Sequence, residues 1–194
     1  MPEIASSASA TAPETGILVL VVGPSGAGKD TLMNAARASL SARSGLVFVR
    51  RAITRPRDGA TEDHLPMTEA EFMAAEAAGA FCLAWQAHGL RYGVPAAIID
   101  ELRLGRTVIV NLSRAVIPAA EALWPRVLVL NVTAPPALLA SRLAARGRED
   151  AADIAARLAR EAPLAPARAK LVTIVNDGPV EAGAAAVLAA LRGG

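Results

Sequence analysis

The stretch LVLVVGPSGAGKDTLM, Leu18 to Met33, restricts this chain more than any other part of it. Ile17 to Val22 is an unbroken β-branched and leucine run that stops at Gly23. A run apolar on both sides of the pleat makes a strand that must be covered on both faces. Gly23, Pro24, Ser25, Gly26, Ala27, Gly28 and Lys29 then fit the spacing G-x-x-x-x-G-K, and a helical pattern follows to about Leu40. The glycines let the backbone curl until successive N–H groups converge, and the helix adds its positive end. Lys29 is placed to reach the outer phosphates of a bound nucleotide. A glycine-rich turn that binds nothing would need neither the lysine nor the strand and helix around it. One departure stands out: such loops follow the lysine with a serine or threonine whose hydroxyl ligates Mg2+, and here Asp30 follows, with Thr31 after it.

Four more apolar runs read as buried strands: Leu46 to Thr54, Thr107 to Ser113, Arg126 to Thr133 and Ala169 to Asp177. Helical patterns separate them, at Pro95–Gly105, Arg114–Leu123, Pro135–Gly147, Ala151–Ala162 and from Val180 onward. Buried strands alternating with helices predict an α/β fold, a doubly wound, mainly parallel five-stranded sheet. Residues 51–94 break the rhythm and read as an inserted lobe. Within it Thr68 and Glu71 form a capping box that opens a helix ending at Gly79. Ala80 to Val94 reads as two short strands turning near His88–Gly89. The Ser-, Ala-, Thr- and Pro-rich residues 1–15 read as a disordered leader before a single domain spanning 16–194.

The 194 residues carry a formal net charge of +2, too little to indicate nucleic acid as a partner. No run approaches the about 18 apolar residues that cross a membrane, and no signal-peptide pattern opens the chain, so a cytoplasmic location is expected. The lone Cys82 excludes an intramolecular disulfide framework and reads as a small apolar residue rather than a reactive thiol. Two distant histidines do not form a zinc site. Trp85 and Trp124 read as packing residues.

The loop, the later segments ITRPR, YG, RLAARGRE and VND, and their order resemble the guanylate-kinase-like P-loop kinases over nearly the whole chain after Thr15. Departures cluster where that group reads guanine. A glutamate falls near Gln86, a Thr-Ser pair becomes Val94-Pro95, and a phosphate-holding tyrosine becomes His64. The acidic strand end that helps hold metal becomes VIVNLSR, with Asn111 and Ser113 at the acidic places. GPSGAGKD, WQAHGLRYGV, VIVNLSR and NDG together are similar to the ribose 1,5-bisphosphate phosphokinases, a family tied to bacterial phosphonate use.

That resemblance implies ATP as phosphoryl donor, Mg2+ as cofactor and ribose 1,5-bisphosphate as acceptor. It assigns nucleotide binding to residues 23–31 with Arg142, Asn176 and Asp177. Metal is assigned to Asp30, helped by Thr31, and catalysis to Lys29, Arg146 and Arg157. Residues 139–162 would form a lid over ATP. The acceptor site would draw on Arg51, Arg55, His64, Gln86, His88, Arg91, Tyr92, Asn111 and Arg114. The sequence leaves a homodimer open. A guanylate kinase is the alternative enzyme. A non-catalytic interaction module is disfavoured because Lys29 and the arginine series are kept.

Overall fold

The computed structural model describes residues 15–40, 45–56, 63–145, 164 and 166–192. The expected leader therefore lies outside the described residues except for Thr15. So do Arg146, Arg157 and most of the expected lid.

The central strand, β1 (Leu18–Val22), is the phosphate-loop strand, and none of its side chains is more than 1% exposed. Burying each such side chain contributes roughly 1.5–3 kcal/mol. Alternation along β1 feeds two cores. Leu18, Leu20 and Val22 point to one face of the sheet, Val19 and Val21 to the other. The sheet is completed by β2 (Leu46–Phe48), β7 (Thr107–Asn111), β8 (Val127–Thr133) and β9 (Lys170–Val175) in the order β2-β7-β1-β8-β9. All its pairings are parallel, as the alternation of strands and helices predicts. On the Val19 face pack α1 (Lys29–Ala38), α5 (Pro136–Ala144) and α6 (Val180–Arg192), through Leu32, Leu139 and Val187. On the opposite face lie α3 (Ile98–Arg103) and α4 (Ile117–Leu123), through Ile98, Leu102 and Ile117.

A second sheet occupies the interrupted stretch. It is four-stranded, in the order β4-β3-β6-β5, formed by β3 (Ala52–Ile53), β4 (Leu65–Pro66), β5 (Phe81–Ala87) and β6 (Leu90–Pro95). The helix α2 (Glu69–Ala77) opens with the expected capping box: Thr68 accepts from the Glu71 N–H and the Glu71 carboxylate accepts from the Thr68 N–H. Strands β5 and β6 join through His88 (φ 53°) and Gly89 (φ 72°). Two successive left-handed residues make the hairpin turn whose twist matches the strands.

Three sequence expectations are corrected. Leu46 to Thr54 is not one strand: Leu46–Phe48 joins the parallel sheet and Ala52–Ile53 joins the second one. The chain changes sheets across Val49–Arg51, where two adjacent arginines interrupt the apolar run. Pro95 does not begin a helix. It still pairs with Phe81 at the end of β6, and α3 starts at Ile98. Arg114 to Leu123 is a 3-10 turn followed by α4, which carries a proline in its first turn where no N–H is needed.

Candidate phosphoryl-transfer site

The phosphate loop leaves β1 at Gly23, whose φ is 142°. A Cβ there would lie 1.9 Å from the carbonyl oxygen of Val132, so the loop backbone is pressed against β8 as only glycine permits. Gly26 and Gly28 are also left-handed, at φ 83° and 85°. Gly28 caps α1, and Leu32 N–H donates to its carbonyl at 3.0 Å. Lys29 folds back over the loop, with Nζ donating to the carbonyls of Gly23 (2.8 Å) and Pro24 (3.0 Å). That places the ammonium at the mouth of the curl. Arg142, in α5, donates from Nη1 to the Gly26 carbonyl at 3.4 Å, so a second cation borders the loop.

Three buried asparagines stand along the carboxyl side of the sheet. Asn111 ends β7 and donates from Nδ2 to Asp30 Oδ1 at 2.9 Å. Asn131 lies opposite Val22 in the ladder, accepts from Arg114 Nη2 at 3.2 Å and donates to Thr173 Oγ1 at 3.4 Å. Asn176, just past β9, donates to the Ala27 carbonyl at 2.8 Å. Each buried amide has a partner, as a buried polar group requires. Asn111 thus ties Asp30 to the neighbouring strand, and Asn131 holds Arg114 beside the loop.

In the second sheet the strand pairing separates two faces. Leu83, Val94 and Trp85 pack into the core below β1, so their face looks inward. On it Trp85 and Tyr92 stack at 5.2 Å between centroids and 8° between planes. The guanidinium of Arg51, 7% exposed, lies 5.1 Å from the Tyr92 centroid and 5.6 Å from that of Trp85. On the other face Phe81 stacks on Phe72 of α2, and a Cβ at Gly93 would strike the Phe81 ring at 2.7 Å. Arg91 is on that outer face, where its Nε donates to Glu69 and its Nη1 lies 4.0 Å from Glu76. The hydrogen bond from Arg91 to Glu69 raises the guanidinium pKa further above its ordinary value.

No family model matches the chain. It is 53% identical to "Ribose 1,5-bisphosphate phosphokinase PhnN" of Acidiphilium cryptum over 173 residues, 89% of this chain and 91% of that protein. The protein of the same name from Brucella melitensis is 49% identical, with 89% and 90% covered. The chain belongs to the ribose 1,5-bisphosphate phosphokinase family. It also matches a "Bifunctional ribose 1,5-bisphosphokinase-thymidine phosphorylase" of Cupriavidus pinatubonensis at 48% identity, covering 93% of this chain but only 30% of that longer protein. Among solved structures, a guanylate kinase from Anaplasma phagocytophilum superposes with a TM-score of 0.67 at 19% identity, over 93% of this chain and 86% of that one. The guanylate-kinase-like fold is therefore the fold of this family member.

The residues expected to serve the kinase divide by position. The loop residues, Lys29, Asp30, Asn111, Arg114, Arg142 and Asn176 come together at the carboxyl edge of the parallel sheet. Thr31 is exposed in the first turn of α1. Asp177 is exposed beyond the loop. Arg51 and Tyr92 share the inward face of the lobe. Gln86 lies directly opposite Arg91 in the ladder and is exposed, which puts both on the outer face. His88 is exposed in the hairpin turn. The two-residue period of the strands turns Gln86 and Arg91 to the face opposite Arg51 and Tyr92, and His88 lies in the hairpin turn.

His64 is buried in the lobe. Its ring is 1% exposed, and Nε2 donates to the Arg55 carbonyl at 2.9 Å. It holds the backbone that carries Arg55 rather than presenting a donor to solvent. Sequence reasoning missed Asn131, although a polar residue inside VLVLNVT is a signal of a placed amide. It also missed the cleft beside Asp30, lined by Asn34, Arg37, Val49, Arg50 and Asp63. Burial pushes the Cys82 thiol up to about 11, in keeping with a packing role. Among the described residues no helix is long and apolar enough to cross a membrane.

Proposed function

We propose that this chain transfers the γ-phosphoryl group of ATP to the 1-phosphate of ribose 1,5-bisphosphate, yielding 5-phosphoribosyl 1-diphosphate and ADP. The observation that carries this reading is the 53% identity with a ribose 1,5-bisphosphate phosphokinase over 89% of the chain. An oxygen of the acceptor 1-phosphate forms a bond to the γ-phosphorus, and the bond from that phosphorus to the bridging oxygen breaks with its electrons left on ADP. The attacking phosphate is already ionised, so no general base is required. What the protein contributes is alignment and positive charge.

Lys29 at the mouth of the loop and the loop N–H groups take the donor phosphates. Arg142 and Arg114 add charge from either side, the latter oriented by Asn131. Arg146 and Arg157 are assigned to the transferring group by family resemblance. Arg51, held against Tyr92 and Trp85, and Arg55, held through His64, take the acceptor phosphates.

Asp30 fits a hard divalent cation. Its carboxylate sits in the first turn after Lys29, and Asn111 occupies only one described contact, to Oδ1. Mg2+ in phosphoryl-transfer sites is held by one or two carboxylates together with water and substrate phosphates, so a single carboxylate at this place is chemically sufficient. When bound, Mg2+ would offset charge on the outer phosphates. Asp30, oriented by Asn111, is the ligand we assign, in place of the loop hydroxyl.

A product assay with ATP, Mg2+ and either ribose 1,5-bisphosphate or GMP, read by phosphorus NMR, tests the reading. A new diphosphate on C1 of the sugar with GMP unchanged is the expected result. GDP with no sugar product would replace it with a guanylate kinase.

A further inference from the structure

The contact between Asn176 and the phosphate loop does something the family resemblance did not suggest. The resemblance places Asn176 at the adenine. In the structure its side chain is 6% exposed and points beneath the loop instead. Nδ2 donates to the Ala27 carbonyl at 2.8 Å, and the Asn176 backbone N–H is itself held by the Thr133 carbonyl at 2.7 Å, at the end of β8. The fit leaves no slack. A Cβ on Gly28 would lie 2.4 Å from Nδ2. A Cβ on Gly183 of α6 would lie 3.4 Å from Oδ1 and 2.6 Å from Leu32 Cδ2. Two glycines from separate elements thus clear the space in which this one amide sits.

A trans peptide points its C=O and N–H to opposite sides. Fixing the Ala27 carbonyl downward on Asn176 therefore turns the Gly28 N–H upward, into the curl where phosphate binds. A flip of that peptide would replace a donor with a carbonyl oxygen facing the phosphates. Glycine at position 28 makes such a flip sterically open, so something outside the loop must choose the orientation.

We infer that Asn176 is a positioning residue for nucleotide phosphate: it locks the Ala27–Gly28 peptide so that the Gly28 N–H faces the bound phosphates. The inference goes beyond the reaction proposed above. It needs the phosphate seat but not the identity of the acceptor.

The test is equilibrium binding of ADP, adenosine and inorganic tripolyphosphate to the wild-type chain, N176A and N176D. In N176A, ADP and tripolyphosphate should weaken together by about tenfold, as for loss of one buried hydrogen bond, with adenosine unchanged. In N176D the ionised carboxylate cannot donate to the Ala27 carbonyl. Phosphate binding should be weakest near pH 8 and recover as the pH falls and the protonated acid regains a donor, while N176A follows the wild-type profile. The residues whose contacts with Asn176 are described above (Ala27, Gly28, Thr133 and Gly183) carry no titratable side chain. The nearest along the chain are Lys29, Asp30, Asp177 and Glu181, and the wild-type profile is the baseline for them.

Loss of adenosine and ADP with tripolyphosphate unchanged would overturn the inference in favour of an adenine contact. Equal loss of all three ligands, tracking a fall in thermal stability, would reduce Asn176 to a structural residue and overturn it too. So would wild-type affinities in both variants. If N176D does not fold, the adenosine-against-tripolyphosphate split in N176A decides alone. A wild-type chain that binds no tripolyphosphate would remove the phosphate seat itself, and that failure would reach the proposed reaction as well.

Discussion

In the proposed reaction the phosphate loop and the inserted lobe both hold phosphate, and their structures would do so in different ways. Around the loop the groups we assign to phosphate are largely backbone N–H, placed by left-handed glycines and by the contact of Gly23 with β8. Side chains there, such as Asn111, Asn131 and Asn176, orient neighbours. In the lobe the groups we assign to the acceptor are side chains on a sheet, and which face each one takes depends on strand pairing. Arg51 and Arg91 are chemically identical, yet one lies against Tyr92 on the inner face and the other is paired with Glu69 on the outer face. A backbone site tolerates no side-chain change at its glycines, whereas a side-chain site can be retuned one residue at a time.

Four tests would break or sharpen this contrast. Lys29→Met should lower kcat by about 10²–10³ with the melting temperature unchanged, since it removes one fixed cation from the transfer site. Steady-state kinetics beside a thermal melt would show it, and retention of more than a tenth of the activity would count against the loop as the centre of charge. Gly23→Ala should destabilise the fold by about 3 kcal/mol, because its methyl meets the rigid Val132 backbone. Gly93→Ala in the lobe meets first the Phe81 side chain rather than backbone and should cost less. Denaturant titration of both tests the ranking.

Glu121, in α4, ties that helix to the segment leading into β9. It is 5% exposed and accepts from the N–H groups of Ala167 (3.1 Å), Arg168 (2.8 Å) and Ala169 (2.7 Å), just before β9. Those hydrogen bonds, led by that from Arg168, lower its pKa below the ordinary 4.5. A depressed carboxylate contributes stability that is fully present above 4.5 and lost as the pH falls through the lower folded value. Glu121→Gln should therefore cost about 2 kcal/mol at neutral pH and progressively less in acid. A cost that does not shrink as the pH falls would contradict this account. Smallest of the four is the lobe comparison itself. Arg51→Met should raise the KM for the acceptor about tenfold, while Arg91→Met leaves it within about twofold, as exposed ion pairs are worth little. Equal effects would mean that the two faces of the sheet were assigned wrongly.

Much of the parallel half could be read before folding. The run at Ile17–Val22 required cover on both faces, and the other apolar runs supplied the remaining strands of its sheet, the first of them only through Leu46–Phe48. The glycine spacing made the phosphate loop legible because the same residues that bend the backbone also create the binding groups. The lobe was legible only as far as its hairpin and capping box, both local signals. Gln86, His88 and Arg91 were assigned to the site from their place in a motif, which carries no information about facing.

What the sequence by itself determined is whatever depends on neighbours along the chain: the buried central strand, the curl at Gly23–Lys29, the cap at Thr68 and the turn at Gly89. These follow from local backbone sterics and short-range hydrogen bonds. Tertiary structure alone decided which buried amide meets which loop atom and which arginine faces inward. Asn176 meets Ala27 across 149 positions, and Asn111 meets Asp30 across 81. In strands a shift of one residue reverses every side chain, so facing is set by the register of pairing between distant segments, and no local pattern encodes it.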